Sequence, residues 1–234
     1  MRLFLKLCAL AAFAVVSAGI ASADTIQLGS YGTGDASLGN GNTAIDYAGY
    51  SATSMTPSAG VGTSYALAPG LLWATAVTGS TWVGFAPDAG PVGTSNPALG
   101  YYTFSTSFTK GSSSLYSGSL SIMADDTAEV FLNGVVVAPF APLGSDYHCA
   151  DVVPDCLTVD TIFLSNLALL SGVDANTFTF VVQQAGLGPV GGTGDPTGLD
   201  FSALLSAVPE PNSLSLLATG MLGCAAAIYR RRSV

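Results

Sequence analysis

The chain has 234 residues, with 15 acidic and 6 basic side chains, 49% hydrophobic residues, 28 glycines and 12 prolines. That length accommodates one domain with short appendages. Sparse charge with abundant apolar residues excludes an intrinsically disordered chain, and the acidic balance excludes a nucleic-acid binder, which needs a basic face. The charges are also segregated. Between Asp24 and Val208 lie fourteen acids and a single base, Lys110, while the other five bases lie near the two termini.

Residues 1–23 read as a secretory signal peptide. Arg2 and Lys6 supply the positive start, Leu7 to Val16 the apolar run, and Ala21-Ser22-Ala23 the small-residue pattern that signal peptidase accepts. The spacing predicts cleavage between Ala23 and Asp24, so the mature chain begins at Asp24. The apolar run is short for an uncleaved anchor.

Residues 24–207 show little helical patterning. Short β-rich runs recur between clusters of Gly, Pro, Ser and Asn, which predicts an all-β sandwich or barrel. The expected strands are Thr25–Leu28, one near Ala44–Tyr50, Leu71–Val77, Thr81–Phe85, Tyr101–Thr109, Ser117–Ala124, Thr127–Leu132, Val135–Phe140, Thr158–Leu164, Thr177–Gln184 and Leu199–Leu205. Tyr102, Phe104, Thr106 and Phe108 alternate with Thr103, Ser105 and Ser107, the period of two that marks a half-buried strand. Asn133-Gly134 joins two apolar runs and predicts a tight hairpin, because both residues tolerate positive φ. Only Ser165–Leu170 reads as a helical turn.

Few residues of this middle segment point to chemistry. Cys149 and Cys156 are seven positions apart in an exported segment and are expected to pair as a disulfide around a small loop. His148 is the only histidine, so no His-rich metal site is available, and no nucleophile elbow accompanies it. The stretch Gly186-Leu-Gly188-Pro-Val-Gly191 matches a dinucleotide-binding spacing but contains a proline and opens no helix. Asp125-Asp126 sits at a predicted turn. Two adjacent carboxylates can help to hold Ca²⁺, but turn chemistry, with Asp capping the backbone, is the simpler reading. Asp195 and Asp200 invite the same choice. No cofactor is called for, with a structural calcium ion as the alternative. Trp73, Trp82, Tyr101 and Tyr102 lie in apolar segments and are expected in the core rather than on a sugar-stacking platform.

The C-terminal residues 208–234 have three parts in order. Pro209-Glu210-Pro211 ends the domain, Leu214 to Tyr229 is an apolar segment of sixteen residues, and Arg230-Arg231-Arg232 follows. Sixteen helical residues span about 24 Å, against a bilayer core of about 30 Å that snorkelling arginines help to match. The arginines fix that end in the cytoplasm as a stop. Proline fixes φ and lacks an N–H, so the Pro-Glu-Pro stretch stays extended and open to a protease.

This arrangement resembles the PEP-CTERM sorting tail of exported bacterial proteins. The resemblance implies an exosortase, a membrane-embedded cysteine protease-transpeptidase, that cuts near Pro209–Pro211, in a bacterium that makes exopolysaccharide. A second resemblance rests on three phrases: Trp82-Val-Gly-Phe85 with Tyr101-Tyr-Thr-Phe104, Ala124-Asp-Asp126 with Val130-Phe-Leu-Asn-Gly134, and Asn176-Thr-Phe-Thr-Phe-Val-Val182. Their order is similar to galactose-binding-like jelly-roll domains and implies a jelly-roll-like antiparallel sandwich over about residues 81–205.

The sequence therefore predicts three parts. These are a signal peptide, a non-enzymatic β-sandwich over residues 24–207, and a sorting tail with one transmembrane helix. The expected partners are signal peptidase, exosortase, the membrane before processing, and exopolysaccharide or another surface glycan. A structural or adhesive matrix protein without a defined ligand is the alternative. A secreted glycoside hydrolase using paired acids is a weaker third reading.

Overall fold

The computed structural model describes residues 24–35, 39–56, 62–143, 158–185, 195–208, 220–223 and 229–230. One compact unit spans Asp24–Val208, and its described elements are strands. These are β1 (Thr25–Gly32), β2 (Thr43–Ser51), β3 (Tyr65–Ala66), β4 (Val83–Gly84), β5 (Gly100–Phe108), β6 (Tyr116–Asp125), β7 (Thr127–Leu132), β8 (Val135–Ala138), β9 (Asp160–Leu167), β10 (Asn176–Gln184) and β11 (Gly198–Ala207). They pair into two layers of a β-sandwich. One layer runs β9-β6-β11, with the first half of β1 and the short β4-β3 pair beside β11. The other runs β2-β5-β10-β7-β8.

The period of two in the sequence places the core. Leu120, Ile122 and Ala124 of β6 and Leu199, Phe201, Ala203 and Leu205 of β11 are buried against Phe104, Phe108, Phe178, Phe180, Val130 and Leu132 of the other layer. Phe180 meets Phe201 across the layers at a ring separation of 4.5 Å. Asn133 and Gly134 have φ of 51° and 78°, the pair of positive values that a two-residue hairpin needs to match strand twist.

A second apolar cluster covers the outer face of the β6–β11 layer. Leu67, Trp73, Trp82, Ala89 and Met123 form it, with the Trp73 and Trp82 rings stacked at 4.3 Å. Gly198 lies directly beneath. A Cβ there would come within 2.7 Å of the Trp73 ring, so only glycine lets the indole settle on β11.

Three expectations are corrected. The sandwich is not wholly antiparallel, because β1 pairs with β2 in parallel from Ser30 to Gly32. β1 leaves β11 at Gly29 and joins the other layer, and the connection through residues 33–42 returns β2 in the same direction, as a parallel pair requires. Leu71–Val77 is not a strand. Gly70 has φ of 59° and Trp73 N–H bonds Pro69 C=O at 3.1 Å, so the segment turns and spends its apolar side chains capping the sheet. Ser165–Leu170 is not helical, since β9 continues to Leu167 through an irregularity at its pairing with β6. There Asn166 takes a φ of 54° and its N–H bonds Ser117 Oγ at 3.1 Å.

Outside this unit, residues 220–223 and 229–230 are helical. Among the described residues no helix is long and apolar enough to cross a membrane. The expected span Leu214–Tyr229 lies mostly outside them.

Candidate functional site

The Asp125-Asp126 pair occupies the place where the chain passes from one layer to the other. Asp125 ends β6 and Asp126 precedes β7. The link joins two strands as expected, and it is buried: the two residues are 4% and 1% exposed. Alternation along β6 puts Asp125 on the same outer face as Met123, and the Trp73 indole N–H donates to its Oδ2 at 2.8 Å. Thr197 Oγ1 donates to the Asp125 carbonyl at 2.7 Å. Asp126 Oδ2 accepts the Ala185 N–H at 2.5 Å, while Asp126 N–H donates to Gln183 C=O at 3.0 Å. Burial, reinforced by the neighbouring Asp126 charge, pushes the Asp125 carboxyl well above the usual carboxylate range.

Asp200 is a buried acid of a different kind. It also faces the covered side of the sheet, and its Oδ1 accepts from Ser80 Oγ at 2.5 Å and Ser30 Oγ at 3.3 Å. Its Oδ2 accepts from Val77 N–H at 2.6 Å. Burial pushes its carboxyl up to about 6, outweighing these donors, which pull it down. Asp195 and Asp200, which bracket one short sequence phrase, therefore have separate surroundings. Asp195 C=O accepts from Gln184 Nε2 at 3.3 Å. Among the described residues no group of three or more His, Cys, Asp or Glu side chains is arranged to hold a metal ion.

A cleft of about 770 Å³ opens near the β1–β2 junction. Strand register builds its floor. Asp46 of β2 stands opposite Ser105 of β5, and Ser105 stands opposite Thr179 of β10. Ser107 and Thr177 form the next row, their hydroxyls 3.4 Å apart. Gln27 and Asn42 border the cleft from β1 and the approach to β2, and Asp174 from the turn before β10. The arrangement presents hydroxyls and carboxylates, groups suited to hydrogen-bonding a polar ligand. The sequence carried the signal: Ser105 and Ser107 are the polar half of the β5 alternation. What it hid was the register that sets Asp46 beside them.

Trp73 is 3%, Trp82 1% and Tyr102 3% exposed, so these aromatics pack rather than face solvent; Tyr101 is half-buried. Asp24 is fixed to the sandwich. Its carboxylate accepts from Tyr116 Oη at 2.8 Å and Ser112 N–H at 2.9 Å, and its C=O accepts Ala207 N–H at 2.7 Å. Ala21, Ala23, Cys149, Cys156, Pro209, Glu210, Pro211, Arg231 and Arg232 lie outside the described residues, and Arg230 falls in a helical stretch.

Residues 207–232 match the PEP-CTERM protein-sorting motif. The match takes in Pro209-Glu210-Pro211, the apolar segment and the arginines. It supports an exported protein that an exosortase sorts at the membrane. Neither the curated proteins nor the solved structures contain a match to the chain.

Proposed function

We propose that this protein is exported, parked in the membrane by Leu214–Tyr229, and cut by exosortase near Pro209–Pro211, which delivers a non-catalytic β-sandwich to the cell surface or extracellular matrix. The sorting motif at residues 207–232 carries this reading. The sandwich is a jelly roll. The order β1-β11-β6-β9 facing β5-β10-β7-β8 supports that assignment, with β2 added at the edge beside β5. Once delivered, the sandwich binds polysaccharide in the cleft floored by Asp46, Ser105, Ser107, Thr177 and Thr179. Hydroxyl-lined hydrogen bonding in a cleft of that size supports a saccharide over an apolar ligand.

The burial of both tryptophans favours a second reading. Sugar-binding sites draw on exposed aromatic rings, and here Trp73 and Trp82 stack on each other instead. A matrix protein that adheres through bulk surface contacts has no need of a stacking platform. The experiment for the primary reading replaces Pro209-Glu210-Pro211 with three alanines in a host with exosortase. The variant stays full-length in the membrane fraction, whereas the native chain is shortened. Equal processing of the two would refute exosortase sorting. A polysaccharide-binding screen of the native chain and of Asp46→Ala then separates the ligand-binding and adhesive readings. Saturable binding lost in Asp46→Ala supports the cleft.

A further inference from the structure

We propose that the end of the sandwich from which the tail leaves rests on the outer leaflet of the bilayer, with Leu115, Val135, Leu170 and Val173 as the side chains that meet the lipid. The contact rests on the membrane parking proposed above and is independent of the polysaccharide reading of the cleft. Strand register defines this end. In one layer Tyr116 opens β6 opposite Ala207, the last residue of β11, and Thr25 opens β1 opposite Ser206. In the other layer Asn176 opens β10 opposite Phe108, the last residue of β5. The loops of residues 109–115 and 168–175 join the two layers here, and Asp174 N–H donates to Thr109 Oγ1 at 2.8 Å.

The chain itself sets the distance to the membrane. Ala207 N–H bonds Asp24 C=O at 2.7 Å and Val208 N–H bonds Leu115 C=O at 2.9 Å, so the sandwich grips its chain up to Val208. Five residues, 209–213, then precede the apolar segment that starts at Leu214. Even fully extended, the steps from Val208 to Leu214 cover only about 20 Å. The strand β11 has 10 residues and is longer than that, at about 33 Å. The tether therefore keeps this end, and not the opposite one, close to the lipid.

The loop tips at this end present apolar side chains. Val173 is 84%, Val135 67% and Leu170 52% exposed, and Leu115 lies beside the exit at 36%. The buried Asn176 explains why Leu170 stays outside. Its Oδ1 accepts Leu170 N–H at 2.7 Å and Asn133 Nδ2 at 3.1 Å, and its Nδ2 donates to Leu170 C=O at 3.0 Å. The polar backbone is thus turned inward at both tips. Charge agrees with the placement. Lys110 and Asp174 are the only charged side chains of the two loops. Asp24 adds one carboxylate, which the α-ammonium left there by signal peptidase balances. The opposite end, where Gly198 pairs with Asp125 and Thr197 N–H bonds Ala89 C=O, carries Asp88, Asp125, Asp126, Asp195 and Asp200. An end with balanced charge approaches an anionic leaflet without the repulsion that an acidic end meets. A few apolar side chains bind lipid weakly, and the contact persists because the tether supplies a high local concentration.

The test uses the native chain in bilayer nanodiscs that contain a lipid with a photoreactive diazirine in its upper acyl chain, with adducts mapped by peptide mass spectrometry. Label is expected on residues 214–229 and, within the sandwich, on residues 109–115 and 168–175. Residues 88–99 are the internal control, because Val92 and Leu99 are exposed too but belong to the opposite end. In the double variant Leu170→Asn, Val173→Asn, at exposed positions that leave the core intact, label on residues 168–175 falls about fivefold while label on the tail stays. A labelled tail with an unlabelled sandwich, equal label on residues 88–99, or unchanged label in the variant would each overturn the lipid contact. An unlabelled tail would overturn the membrane parking itself, and the contact with it.

Discussion

The covered outer face of the β6–β11 layer and the open cleft beside β2 use acidic side chains in opposite ways. Asp125 against Trp73, Asp200 against Val77 and Ser80, and Asp126 against the β10 backbone are all shut away from water. In the cleft, Asp46 is half-exposed and Asp174 exposed, among serine and threonine hydroxyls. Both regions belong to one acidic domain. What separates them is the segment of residues 67–93, including the short strand β4, which covers one layer and not the other. An acid under that cover shapes the fold and its response to pH, and an acid in the cleft stays open to solvent.

Removing the cover gives the largest expected effect. Trp82→Ala deletes a 1%-exposed indole and costs about 3–5 kcal/mol, measured by denaturant unfolding. A cost below about 1 kcal/mol would mean that the cover contributes little and that the two faces are not truly different. The next effect concerns pH. Asp200 has a folded pKa of about 6 against an ordinary 3.8, so the folded state holds its proton more tightly than the unfolded state does. Its stability contribution is therefore full below about pH 4 and is lost as pH rises to about 6, by on the order of 3 kcal/mol. The raised Asp125 acts in the same sense. Stability of the native chain and of Asp200→Asn, measured in chelator from pH 4 to 7.5, shows a shallower decline in the variant. Parallel curves would remove Asp200 from the account. The smallest effect is Gly134→Ala. Its φ of 78° costs an alanine about 1 kcal/mol, and since nothing lies within 4 Å of the added Cβ, the cleft and covered face remain unchanged.

The elements legible in the sequence were those with an unambiguous local period or turn. Thr127–Leu132, the Asn133-Gly134 hairpin and the alternating aromatic strand appear within a residue or so of their expected places. Leu71–Val77 misled because β-favouring residues serve equally well as an apolar lid, and the Pro69-Gly70 turn decides between the two uses. The sheet change at Gly29 was invisible because pairing partners are non-local. So was the surrounding of Asp125-Asp126: adjacent acids between two strands read as a surface turn until a distant tryptophan is seen to cover them. The sorting tail, by contrast, was legible because its three parts act in order along the chain and need no register.

The most direct test of the central claim is the intact mass of the protein recovered from the surface or medium of a host with exosortase. The account predicts a chain that begins at Asp24 and ends near Pro209–Pro211, lacking the apolar segment and the three arginines. A recovered chain that still ends at Val234 would contradict it.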